Sequence, residues 1–232
     1  GANPNNYVCF GPGATAAGQT CPDNNLYRII GVFGNQVKLI KKKNVGNRQW
    51  DNKGNFGNNT WSTSLINAYL NGEYLNNLTS TWSNKIASNT WQVGGMTSTN
   101  GYAVPATAYN YEVGPNKANV TFNGKIGLMY ASDYGFAAQT QAWTLKLGGF
   151  DDNVTDYSNP IAEANNWLFT GIFEWTMSPY SDTSLTVFFI HSSGSVNNAL
   201  AYGSWAVRPS FSLESFINLN GGNGTTIDPY RI

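Results

Sequence analysis

Charge is scarce in this chain. Thirteen Lys and Arg and thirteen Asp and Glu make up 11% of its 232 residues and cancel to a formal net charge of zero, where ordinary soluble domains carry about a quarter. No basic patch marks it for nucleic acid or an anionic membrane surface, and neither is expected as a partner. Histidine occurs once, as His191, and cysteine twice, as Cys9 and Cys21, too few donors at the wrong spacing for a zinc site. No run of 18 apolar residues is present, so no spanning helix and no membrane contact are expected from this segment. The opening Gly1-Ala2-Asn3-Pro4 lacks an initiator Met, a basic stretch and an apolar stretch, and reads as a mature or trimmed product.

What the chain does have is apolar and neutral polar material. Hydrophobic residues reach 41% and aromatics 14%, enough to bury one sizeable core, and residues 1–232 are expected to form a single domain. Polarity comes from Asn, Ser, Thr and Gly, with Asn at about one residue in seven. Such surfaces suit exported proteins, although an AT-rich genome drifting toward Asn codons accounts for the excess as well. Cys9 and Cys21 lie twelve positions apart in the loop "CFGPGATAAGQTC". Small residues let them approach, and a disulfide is the leading reading, with free thiols and a catalytic thiol left open. A disulfide requires an oxidising compartment, which places the domain outside the cell or on its surface.

Gly, Asn and Pro punctuate short β-branched or aromatic runs, the pattern of a strand-and-loop α+β fold with few helices. "LYRIIGVF" and "VKLIKK" around Gly34-Asn35 predict an opening hairpin. Trp61, Leu65, Ala68 and Tyr69 recur at helical spacing, which predicts the main helix over 61–71, capped by Thr60 or Ser62 and stopped at Gly72, with a second short turn at Tyr74, Leu75 and Leu78. Ile126–Tyr130 reads as a buried strand, followed by a helix from Asp133 to Ala138 capped by Ser132. Residues 89–120 and 139–166 show no clear period and are expected as long loops. "TSLTVFFIH" and "ALAYGSWAVRPSFSL" predict a terminal hairpin.

The order "LYRIIGVF…VKLIK", "WSTSLINAYLNGEYLNNL", "KIGLMYASDYGFAA", "NWLFTGIFEWTMSPYSDTS", "VFFIHSSGSV" and "WAVRPSFSL" resembles uncharacterised secreted and pilin-associated domains of low-GC bacteria of the gut Firmicutes and Mollicutes type. The resemblance covers nearly the whole chain and implies a C-type-lectin-like fold of the sulfatase-modifying, formylglycine-generating type. It also implies a disulfide-tied N-terminal entry over 1–25, where Cys9 and Cys21 stand, and a short β tail over 217–232. The formylglycine-generating enzymes use a cysteine pair in their C-terminal half. This chain has no Cys after Cys21, so the resemblance supports a scaffold and no catalytic role.

Other chemistry is thinly represented. His191 beside the Ser192-Ser193-Gly194 turn reads as a strand-end histidine rather than a triad member. Glu163, Glu174 and Asp182 are the carboxylates from which a glycosidase pair would be drawn, with nothing in their spacing to favour one. Asp151, Asp152, Asn153 and Asp156 form the densest oxygen cluster and are the residues a calcium ion would take, although their spacing is not that of an EF-hand and a solvated turn is the plainer reading. No other cofactor is expected. Among the aromatics, Trp50, Trp61, Trp167, Trp175 and Trp205 fall in or beside predicted elements and are expected in the core. Tyr102, Tyr109, Tyr111 and Trp143 are the ones expected on an exposed rim.

These readings favour a non-enzymatic cell-surface or pilus-associated domain, a pilin-like subunit or adhesin, with a host glycan or protein receptor as partner or with self-assembly into a surface filament. The alternatives are a phage or virion receptor-binding module on the same fold, and a degenerate formylglycine-type oxidoreductase or hydrolase. The ligand face implied by the resemblance is the C-terminal hairpin with its preceding loops, through Tyr180, Asp182, Asn197, Asn198 and Tyr202.

Overall fold

Leu26–Phe33 is rich in β-branched and aromatic residues and forms β2, which turns at Gly34 and returns as β3, Gln36–Lys41. The strands pair antiparallel from Phe33↔Gln36 to Tyr27↔Lys41, with a bulge between Ile29 and Gly31. Gly34 has φ +62° and Asn35 stays at negative φ, the combination a type II′ turn needs. The computed structural model describes residues 4–13, 16, 18–153 and 166–232, and of 151–153 the backbone alone.

The hairpin is the centre of a four-stranded sheet in the order β1-β2-β3-β11, with β1 at Tyr7–Cys9 and β11 at Ser210–Ser212. The two ends of the chain therefore share one sheet, and Tyr230 adds a bridge to Val8. A second sheet runs β4-β10-β7-β8-β9: Asn47–Gln49, Ser204–Ala206, Glu174–Pro179, Thr186–Ile190 and Val196–Leu200. The predicted C-terminal hairpin is β8–β9, and its second strand begins at Val196, inside what the sequence suggests is turn. A third, two-stranded sheet joins β5 (Asn89–Gln92) to β6 (Thr121–Gly124). Short helices and several separate sheets make the class α+β.

Three expectations are corrected. The main helix begins later: Trp61–Thr63 is a 3₁₀ turn, and α1 (Leu65–Ala68) starts after Ser64, whose hydroxyl accepts the Asn67 N–H at 3.1 Å. Gly72 does not stop it: it keeps a negative φ, and a π-turn over Tyr69–Tyr74 carries the helix through it into α2 (Leu75–Asn77). Ile126–Tyr130 is extended but is not a ladder strand. Gly127 makes one bridge to Ser210, and the Asn71 side chain takes the place of a neighbouring strand, accepting from the Ile126 N–H at 3.0 Å and donating to the Ile126 carbonyl oxygen at 2.8 Å. Residues 89–120 hold regular structure after all: β5, then α4 (Ser98–Gly101) and α5 (Pro105–Glu112), beyond α3 at Ser80–Ser83. Pro105 opens α5 in the first turn, where an N–H would have no partner within the helix.

Among the described residues the core lies in two large clusters and one small one. Of the large ones, one gathers Trp50, Trp61, Trp175, Tyr27, Phe10 and Phe211 beneath the first sheet and α1, and the other gathers Ile40, Met129, Tyr134, Phe150 and Phe188 around α6 (Ala131–Ala137). Near the chain entry, Cys9 and Cys21 form a disulfide with Cα atoms 5.8 Å apart, and both are buried beside Leu26. Lys41 is also buried, donates to the Asn24 carbonyl oxygen and faces the Tyr27 ring at 4.8 Å. Burial lowers its ammonium from 10.5 to about 8.

Closing so short a loop stabilises by about 3 kcal/mol through the unfolded chain. The Cys9→Ser/Cys21→Ser variant should melt on the order of 10 °C lower; an unchanged midpoint would show that the bridge contributes nothing. Lys41 gives a pH signature of definite sign. The unfolded chain takes up the Lys41 proton below 10.5 while the folded one does so only below about 8, so stability rises with pH across that window. Denaturant titrations from pH 8 to 10.5 should show that slope in the parent and a flatter one in Lys41→Met.

Candidate functional site

On the outer side of the β2–β3 hairpin the chain builds a trough whose floor is an ion pair. Lys38 on β3 and Asp133 in the first turn of α6 meet at 2.5 Å, with side chains only 7% and 9% exposed. The Lys38 ammonium is enclosed by rings, 4.6 Å from the Tyr130 centroid and 5.7 Å from those of Trp91 and Phe33. Ring faces present negative potential to a cation, so the cage offsets part of the cost of removing Lys38 from water.

The floor is held from behind. Asp133 also accepts the Tyr130 N–H at 2.8 Å, and Glu112, from the end of α5, accepts the N–H groups of Ala131 and Ser132 at 3.1 and 3.0 Å and the Ser178 hydroxyl. Two carboxylates thus serve the first N–H groups of α6, which have no partner within the helix. Burial raises the Glu112 carboxyl above its usual range, and the hydrogen bonds from Ser132 and Ser178 work against that rise. The Tyr130 hydroxyl closes the arrangement on β5, accepting from the Gln92 N–H at 3.0 Å and donating to the Gln92 carbonyl oxygen at 3.1 Å.

Above the floor stand two adjoining hollows of about 270 and 480 Å³, which share Phe33, Tyr109 and Asp133 in their walls. Each is of the size that takes a small ligand or part of one. Gln36, Asn89, Thr90 and Gln92 line the smaller. Phe136, Trp143 and Trp167 line the larger. Tyr109, Phe136 and Trp143 form a run of edge-to-face rings, with centroids 6.3 and 5.3 Å apart, and they and Phe33 are 36–48% exposed. Trp143 is fixed by its indole N–H, which donates to the Ala138 carbonyl oxygen at 3.1 Å. Large rings packed on one another yet open to water are unusual on a surface with no partner.

The predicted rim residues divide. Tyr109 and Trp143 are exposed and belong to the trough. Tyr102 is half-buried, edge-on to Phe188 at 5.6 Å and hydrogen-bonded to Asn198, and Tyr111 packs against the second core cluster. The five residues of the predicted ligand face are spread over separate contacts. Tyr180 rests on Phe188 at 5.4 Å, and Asp182 accepts the Ser98 N–H at 2.9 Å, which holds its carboxyl below the usual range. Asn59 donates to the carbonyl oxygens of Tyr180, Thr183 and Thr186 and pins their loop. Asn198 binds Tyr102, Asn197 bonds the next backbone N–H, and exposed Tyr202 packs on Phe56.

The remaining chemistry resolves into structure. Glu174 forms a buried ion pair with Arg208 at 2.6 Å. His191 turns back on Ser193 at 2.8 Å and packs on Phe173 at 4.7 Å. Of the calcium cluster, Asp156 lies outside the described residues, and of Asp151, Asp152 and Asn153 only the backbone, the end of a 3₁₀ stretch, is described; Glu163, from the candidate carboxylate pair, also lies outside them. Among the described residues no group of three or more His, Cys, Asp or Glu is placed to hold a metal ion, and no helix is long and apolar enough to cross a membrane.

The class defined here is a disulfide-bearing α+β domain with three sheets and an aromatic trough over a neutralised ion pair. A family model described as a domain of unknown function, DUF6273, matches residues 34–215, and the chain belongs to that family. No curated protein and no solved structure matches it. The matched stretch contains the whole trough except Ile30, Phe33 and their strand.

If the floor is a buried pair, losing one partner should cost far more than losing both. Asp133→Asn, which strands the Lys38 ammonium, should destabilise by about 3 kcal/mol, while Lys38→Met/Asp133→Asn should fall within about 1 kcal/mol of the parent. Equal losses in urea denaturation would contradict this reading of the pair.

Proposed function

We propose that this chain is a non-enzymatic extracellular domain of the adhesin type, and that the trough is its recognition face. The observation that carries the proposal is the cluster of Phe33, Tyr109, Phe136 and Trp143, exposed side by side over a floor whose charges cancel. A catalytic centre would keep a reactive group accessible. Here the ionisable groups nearest the trough are committed to a helix terminus and to each other, and what faces solvent is ring and amide surface suited to holding a partner. The Cys9–Cys21 disulfide agrees with an oxidising location at the cell surface. The shared sheet of the two chain ends agrees with a C-type-lectin-like scaffold, and pilus association is the setting we favour for it.

The test is adhesion. Beads coated with the domain should attach to epithelial cells or mucin, and Tyr109→Ser/Trp143→Ser should abolish attachment while leaving the melting curve of the domain in place, because neither ring is in the core. Attachment that survives the double substitution would move recognition to another face, with the loop of Tyr180 and Asp182 next in line.

A further inference from the structure

We infer that the trough binds a neutral oligosaccharide of pyranose units laid along its length, a reading that rests on the trough being the recognition face. The charges exclude the main alternatives first. Lys38 and Asp133 neutralise each other at 2.5 Å and are almost wholly covered, so the floor offers no net field to draw an acidic or basic ligand and no open cation to clamp a carboxylate or phosphate.

The walls then say what fits. At one end stand side-chain amides and a hydroxyl, Gln36, Asn89, Thr90 and Gln92. These are groups that both donate and accept, as sugar hydroxyls do. Gln92 is half-buried in this wall, and its Oε1 is a covered acceptor without a hydrogen-bond partner among the described residues. At the other end stand ring surfaces, Tyr109, Phe136 and Trp143. A pyranose has the same division: equatorial hydroxyls around its edge, and C–H faces whose partial positive charge suits the negative face of an aromatic ring. A lipid chain would leave the amides unsatisfied, and an extended peptide would need a free strand edge, whereas Gln92, on the β5 edge toward the trough, has both backbone groups taken by the Tyr130 hydroxyl. Two joined hollows with polar and aromatic ends in series fit a ligand of several units better than a single sugar.

The experiment uses the intact chain and four probes, the tetrasaccharides cellotetraose, maltotetraose, mannotetraose and chitotetraose, titrated by calorimetry and tryptophan fluorescence. At least one should bind below about 1 mM, with Tyr109→Ala and Trp143→Ala each weakening it about tenfold and an acidic oligogalacturonate binding no better than the neutral probes. Failure of all four overturns the inference, as does equal affinity in both variants. A second arm treats the adhesion surface with periodate, which cleaves the vicinal diols of glycans, and with chitinase, which removes the 1,4-linked N-acetylglucosamine chains that have none inside. Adhesion that needs Tyr109 and Trp143 yet survives both treatments leaves the recognition face standing and removes the sugar. Adhesion indifferent to both residues removes the face itself.

Discussion

The contact on which the trough depends is the bridge between Lys38 and Asp133. It joins the first sheet to α6 across 95 positions of sequence, and it does so where each element is weakest: near the tip of a hairpin and at a helix terminus with unpaired N–H groups. Asp133 serves both partners, since it also takes the Tyr130 N–H. Once α6 is seated in this way, Phe136 one turn on and Trp143 beyond it face the same side as Phe33, and the trough follows. Glu112 reinforces the seat from α5, which brings Tyr109, one turn earlier in that helix, to the opposite wall. The trough is therefore exposed, but its placement is set by buried charge.

That arrangement gives the low charge of the chain a second meaning. Among the few ionisable residues, Lys38, Lys41, Glu112, Glu174 and Arg208 are all buried. Each would be costly alone, and each has a partner: Asp133, the Asn24 carbonyl oxygen, the α6 N-terminus, and one another in the case of Glu174 and Arg208. Burying so many leaves a surface still poorer in charge than the composition suggests, and it is the neutral Asn, Ser and Thr that keep it wet. A neutral surface and a neutral trough floor have the same origin.

The opening hairpin and the disulfide were legible in the sequence because both are local: a Gly-Asn turn between strand-forming runs, and two thiols in one loop of small residues. The terminal hairpin was legible except for its register, since Asn197 and Asn198 look like turn and are held in β9 by pairing with Phe189 and Phe188. Misreadings came where a non-local contact decides. Gly72 looks like a stop, but the π-turn carries the helix past it, and Asn71 spends its side chain on residues 125 and 126. Ile126–Tyr130 has the apolar run of a strand, yet that side chain serves one side of it. Of the trough, only Tyr109 and Trp143 stood out, as aromatics in stretches with no period. Phe33, Lys38, Trp91, Asp133 and Phe136 each carry an unremarkable local pattern, and nothing in their spacing announces that four segments converge on one ion pair.

The position of the thiols now has a physical answer. Cys9 ends β1 opposite Leu26, the first residue of β2, so the bridge to Cys21 ties the entry strand to the base of the hairpin. Phe33, at the hairpin's tip, is half-exposed and lies near the Lys38 ammonium and over Gly31, whose missing side chain leaves room for the ring. A tip that is open to water keeps its position only if the strand behind it is held. The disulfide and the buried Lys41 lie toward the opposite end of the same two strands, and β11 pairs along β3 from Ile40 to Lys38. Fixing that end limits how far the Phe33 wall can swing from Tyr109. The family match begins at Gly34, one residue after this wall, so β2 and the disulfide-tied entry lie outside the matched stretch while completing the surface that the matched stretch builds.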